Sequence, residues 1–218
     1  MNRSRLLVSA LVALIAFVLI QKVAIGEPSK DAKPAGQPEM KIPPGWTEED
    51  VKAEMMAGIP GKMHERLAHD VGVWQGKCSM WMPPGGGEPM KSDCTMTITS
   101  IMDGRYFKSE MTAEMPGMGT YNGFGVSGFD NVSQKFVSTW IDNHSTGILT
   151  GAGDLTPDAK TVNWNFAYNC PITKKPVVLR QIDTVTGPGA KTLEMFGADP
   201  KSGKEYKMMR IEFTKKQG

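Results

Sequence analysis

The chain has 218 residues, 40% hydrophobic and 22% charged, which excludes a polytopic membrane protein, a disordered tail and a collagen-like fibre. A formal net charge of +2 is too small to point to a nucleic-acid surface. Three cysteines are too few for a disulfide-dense scaffold.

Arg3 and Arg5 precede an uncharged run of 15 residues from Leu6 to Ile20. A membrane-crossing helix needs about 20 apolar residues, whereas a signal-peptide core runs about 7–15. Ala24-Ile25-Gly26 follows, with small residues at signal-peptidase spacing. Residues 1–26 therefore read as an export signal cleaved after Gly26, which places the protein in the periplasm or outside the cell. The alternative is an inner-membrane anchor retained through residues 6–25, and only through that segment would the chain meet a membrane. Removal of Arg3, Arg5 and Lys22 leaves 22 basic residues against 23 acidic, a charge of −1. The slight basicity belongs to the signal, and no nucleic-acid partner is expected.

Residues 27–45 carry Pro28, Pro34, Pro38, Pro43 and Pro44 without periodicity and read as an exposed linker. A barrel domain is expected over 46–218. Thr47 and Asp50 have capping-box spacing and start a helix that Gly58 and Pro60 end. Met63 to Val71 reads as a second short helix.

From Trp74 onward the hydrophobic period is two. Val162, Trp164, Phe166 and Tyr168 alternate with Asn163, Asn165 and Ala167, as in a half-buried strand. Ten such segments are expected, near 74–82, 92–101, 104–114, 119–129, 134–142, 146–154, 160–168, 176–185, 191–197 and 204–214. Turn-like breaks such as Met102-Asp103-Gly104, Asp130-Asn131 and Pro188-Gly189 separate them. Short connections favour antiparallel neighbours, and ten consecutive strands lose their edges by closing. The fold class is thus mainly β: an antiparallel ten-stranded meander barrel behind a short helical segment.

Barrel closure turns alternate residues inward. Trp164 and Phe166 point in, because the other set carries Asn163 and Asn165. Phe107 and Met111 point in, because the other set carries Lys108 and Glu110. In 134–142, Phe136 and Trp140 compete with Val137 and Ile141. Trp140 is chosen because Asp142 then brings a polar group to the same cavity. A ten-stranded barrel is wider than an eight-stranded one, so an apolar cavity with one polar end is expected. Phe107, Met111, Trp140, Asp142, Trp164 and Phe166 are its candidate ligand-facing residues.

Cys78 and Cys94 flank a Pro- and Gly-rich loop. A hairpin symmetric about Gly86 sets them directly opposite, on one apolar face, where an oxidising compartment would bridge them. The alternative is two buried thiols, and Cys170 stays unpaired in either case.

Gly72-Val73-Trp74, following a short helix and opening the first strand, resembles the lipocalin and calycin motif. His64-Glu65-Arg66-Leu67, Asp103-Gly104-Arg105-Tyr106, Gly128-Phe129-Asp130-Asn131 and Thr139-Trp140-Ile141-Asp142 occur with it in order. Together, over about residues 50–216, they resemble a bacterial exported family of unknown function with calycin-like barrels. The resemblance implies such a barrel, with Trp74 closing its base and Arg210 of the last strand packed on the indole. It implies no activity and no catalytic residue. Gly72-Val73-Trp74-Gln75-Gly76 also resembles the haem-binding nitrobindin-type barrels, which ligate iron through a histidine of the C-terminal strands. The histidines here are His64, His69 and His144, so that ligand is missing and no cofactor is expected.

Other motifs resolve into local structure. His64 and His69 are five apart, not the four that sets two metal ligands on one helix face. No metal site is expected from them, and the methionines read as core filler. Asp103, Asp130 and Asp142 fall at strand ends, where aspartate caps turns. The functional expectation is a non-catalytic binder of a small apolar ligand. The rivals are an enzyme using Asp142 or Asp130 as a general base, and an interaction domain with a filled barrel.

Overall fold

The computed structural model describes residues 42–217, so the expected signal and most of the linker lie outside the described residues. The chain separates into two units, one ending at Ile59 and the other beginning at Pro60. In the first, helix α1 (Glu48–Ala57) starts on the expected capping box. The Asp50 backbone N–H donates to Thr47 Oγ1 at 3.1 Å, and the Thr47 N–H donates to Asp50 Oδ2 at 2.8 Å. Among the described residues no helix is long and apolar enough to cross a membrane.

In the second unit, helix α2 (Lys62–Ala68) precedes ten strands. They are β1 (Gly72–Met80), β2 (Met90–Ile101), β3 (Tyr106–Met115), β4 (Gly119–Asp130), β5 (Lys135–Asp142), β6 (Leu149–Leu155), β7 (Thr161–Asn169), β8 (Pro176–Gly187), β9 (Ala190–Ala198) and β10 (Glu205–Lys215). Each pairs antiparallel with its sequence neighbours, and β1 pairs with β10, so the sheet closes as the alternation requires. The bounds follow the expected segments to within three residues.

Helix α2 packs on β3 and β4 at the end where β1 begins and β10 finishes, which is the base. The loops β1–β2, β3–β4, β5–β6, β7–β8 and β9–β10 surround the other end, the mouth. Gly72 opens β1 at φ +137°, a backbone conformation that side chains avoid, and this lets the chain turn from α2 into the barrel. Trp74 is 4% exposed, and its Nε1–H donates to the Asp70 carbonyl at 2.8 Å.

Two expectations near β1 need correction. Arg210 does not pack on Trp74. Its neighbours Ile211 and Phe213 point inward at 1% and 2% exposure, so strand parity turns Arg210 outward, where it bonds Glu194 and Glu212. The cations over the indole are Lys191, with Nζ 4.3 Å from the ring centroid, and Lys215 at 5.4 Å. Cys78 and Cys94 are likewise not opposite. Met80 pairs with Met90, which slips the hairpin by two residues and sets Cys78 against Ser92 and Cys94 against Gly76. All three cysteines are buried free thiols rather than a bridged pair. Burial pushes the Cys94 thiol up to about 12.

Candidate functional site

Aromatic rings run upward through the barrel from its base. His64 of α2 meets Phe129 edge-on at 6.1 Å, and Phe129 meets Phe136 at 5.1 Å. Phe136 tilts against Trp164 at 6.1 Å, and Trp164 stacks on Phe166 at 5.6 Å. His64 is buried, and its Nδ1 caps the helix by accepting the Gly61 N–H at 3.1 Å. Burial holds its imidazole below the ordinary histidine value.

Glycines on neighbouring strands make room for these rings. A Cβ on Gly151 would come within 2.5 Å of Phe166, and one on Gly153 within 2.8 Å of Trp164. Gly123 and Gly125 do the same for Trp140, at 2.3 and 2.6 Å. The glycines of β4 and β6 thus let large rings lie against the barrel wall and leave its axis open.

Between the rings lies a cavity of about 440 Å³, within the size range of small-molecule sites. Phe107, Met111, Trp140, Asp142, Trp164 and Phe166 all line it. Met96, Met195, Met208 and Met209 add adaptable apolar surface. The parity left open in β5 falls to Phe136, Ser138, Trp140 and Asp142, with Phe136 only 1% exposed.

The expectation of one polar end is corrected: both ends are polar. At the mouth, Trp140 Nε1–H donates to the Tyr121 hydroxyl at 2.8 Å, and that hydroxyl lies 3.5 Å from Asp142 Oδ2. Burial pushes the Tyr121 phenol up, so it stays neutral. Asp142 also accepts the His144 backbone N–H at 2.9 Å. Midway, Ser127 and Ser138 bond one another at 2.8 Å.

At the base, Asp183 faces the cavity from β8. Its Oδ2 accepts Trp164 Nε1–H at 3.0 Å, and its two oxygens accept the Gln181 amide at 2.9 and 3.1 Å. Burial pushes this carboxyl up to about 6, against the opposing pull of Lys191. Lys191 itself bonds Asp70 at 2.9 Å. Asp130, the other carboxylate considered as a base, caps the β4–β5 turn instead. It accepts from the Val132 and Ser133 N–H groups, and the Ser133 hydroxyl bond holds it below the usual carboxylate value.

Sequence reasoning missed Asp183, Gln181, Lys191 and Tyr121. In 190–196 a signal was present, because Glu194 marks the outward set and leaves Lys191, Leu193 and Met195 inward. In β8 none was, because both parity sets mix apolar and polar residues.

The family described as "Protein of unknown function (DUF1579)" matches residues 59–215. No curated protein matches the sequence. The S-type phycobiliprotein lyase CPES from Guillardia theta shares the fold at a TM-score of 0.54 and 9% identity, over 72% of this chain and 93% of its own. Rv2717c from M. tuberculosis shares it at 0.53 and 12% identity, over 73% of this chain and 100% of its own. At these identities the likeness is one of fold.

Proposed function

We propose that this chain, which belongs to the DUF1579 family, is a carrier that holds a small, predominantly apolar molecule inside its barrel. The observation that carries this reading is the open cavity of about 440 Å³, walled by Trp140, Trp164, Phe166, Phe107 and methionines. A barrel meant only to be filled would set side chains on the axis. Here glycines at 123, 125, 151 and 153 draw the largest rings back to the wall. Aromatic and methionine surface offers dispersion contacts to ligands of varied shape, while the few polar groups fix orientation. A fold shared with a phycobiliprotein lyase is compatible with a small-molecule barrel.

Native mass spectrometry of protein purified from its own host tests the reading. A retained small molecule is expected. Stripped protein should then bind a neutral fluorophore such as N-phenylnaphthylamine with quenching of tryptophan emission. Absence of both a retained molecule and fluorophore binding overturns it.

Export is a second part of the proposal, supported by the uncharged Leu6–Ile20 run behind Arg3 and Arg5. Intact mass of host-derived protein should correspond to a chain beginning at Glu27. A mass that retains residues 1–26 would make the protein anchored instead.

A further inference from the structure

The floor of the cavity holds one carboxylate more than it holds cations. Asp70 and Lys191 bond one another at 2.9 Å, and the Lys191 ammonium also sits over the Trp74 ring. Lys215, the next cation, has its Nζ bonded to the His69 carbonyl. Asp183 receives only neutral donors, the Gln181 amide and the Trp164 indole. No lysine, arginine or histidine of the described residues stands in ion-pair contact with it. A carboxylate in apolar surroundings is costly unless a cation or several donors meet it. Its two oxygens offer about four acceptor sites. Three bonds are in place, and the side chain faces the open cavity.

We propose that the ligand is an apolar molecule ending in a protonated amine, and that Asp183 receives this ammonium at the cavity floor. The inference rests on the carrier reading. An anionic head group would add a further negative charge beside Asp183, which already shares the attraction of Lys191 with Asp70. An ammonium would neutralise the floor and take up the free acceptor site.

Three ligands of one chain length test the head group: decylamine, decanol and decanoate, each displacing the bound neutral fluorophore at about pH 7.5. Decylamine should compete about tenfold or more better than decanol, as a charged hydrogen bond predicts, with decanoate weakest. Asp183→Asn should bring decylamine to within about threefold of decanol. In the unmodified protein the same advantage should disappear near pH 4.5, where Asp183 is protonated, so the test does not depend on the variant folding. Decanol or decanoate competing as well as decylamine at about pH 7.5 overturns the head-group assignment and leaves the carrier reading standing. Failure of the fluorophore to bind, with no molecule retained by host-derived protein, overturns the carrier reading instead.

Discussion

The indole of Trp140 occupies the space where Gly123 would carry a side chain: a Cβ built there would lie 2.3 Å from Trp140 Cζ2. The two residues sit on adjacent strands, and the ring reaches the wall only because β4 has a gap at that point. Gly123→Ala should displace the indole inward, destabilise the protein by about 1–3 kcal/mol and weaken fluorophore binding. Gly147→Ala is the control, since nothing lies within 4 Å of its Cβ. Denaturant unfolding of both variants checks this. Equal midpoints would show that the gap is not needed to seat Trp140.

Tyr121, two residues before Gly123 on the same strand, holds the same indole through its hydroxyl. Removing its hydroxyl leaves Trp140 Nε1–H without its acceptor at 2.8 Å in a part-buried position. Tyr121→Phe should cost about 1–3 kcal/mol, read as a lower urea midpoint at unchanged slope. The Trp140 emission should also change. An unaltered midpoint would mean that water replaces the hydroxyl at the mouth.

The barrel was legible because its strands obey one rule over a long stretch. Where one parity set is apolar and the other carries amides, as in 161–169, both the strand and its inward face follow from the residues. The same rule is silent in β8, where Leu179, Gln181 and Asp183 oppose Val178, Arg180 and Ile182. The carboxylate of the floor lies in that silent strand, so Asp142 at the mouth was anticipated and Asp183 was not. Register was the other weak link. A hairpin centred one residue away from Gly86 moves the pairing by two, which separates Cys78 from Cys94. Arg210 failed for a different reason: the resemblance alone placed it on Trp74, whereas Trp74 pairs with Lys215 and Arg210 with Ser79, five residues along β1.

The cysteines give a chemical check on that register. Cys78 and Cys94 are buried, and burial raises both thiols, Cys94 to about 12. The thiolate is the reactive form, so neither should react readily in the folded protein. In a Cys170→Ser background, Ellman's reagent should find almost no thiol in the native state and two after guanidinium unfolding. Alkylation of unreduced, guanidinium-unfolded protein, read by mass, should likewise show two carboxamidomethyl groups. Finding none would restore the bridge and overturn the register-based correction.

Asp183 should make the ligand-free protein less stable as pH rises. Its folded value is about 6, against 3.8 as the ordinary value, so the folded state binds the proton more tightly than the unfolded chain. The stability this contributes is fully present below about pH 4 and is lost as pH rises through about 6. An asparagine at this position would keep an oxygen for the Trp164 and Gln181 donors without the charge, so Asp183→Asn should match the unmodified protein at about pH 4. Above about pH 7 the variant should be more stable by roughly 2 kcal/mol, since each tenfold change in proton affinity corresponds to about 1.36 kcal/mol and the cavity-facing oxygens keep part of their hydration. Urea unfolding of the two proteins at several pH values measures the difference directly. Parallel curves across that range would mean that the floor carboxylate is as well solvated in the barrel as in the unfolded chain, and the unmatched charge at the floor would have no energetic cost.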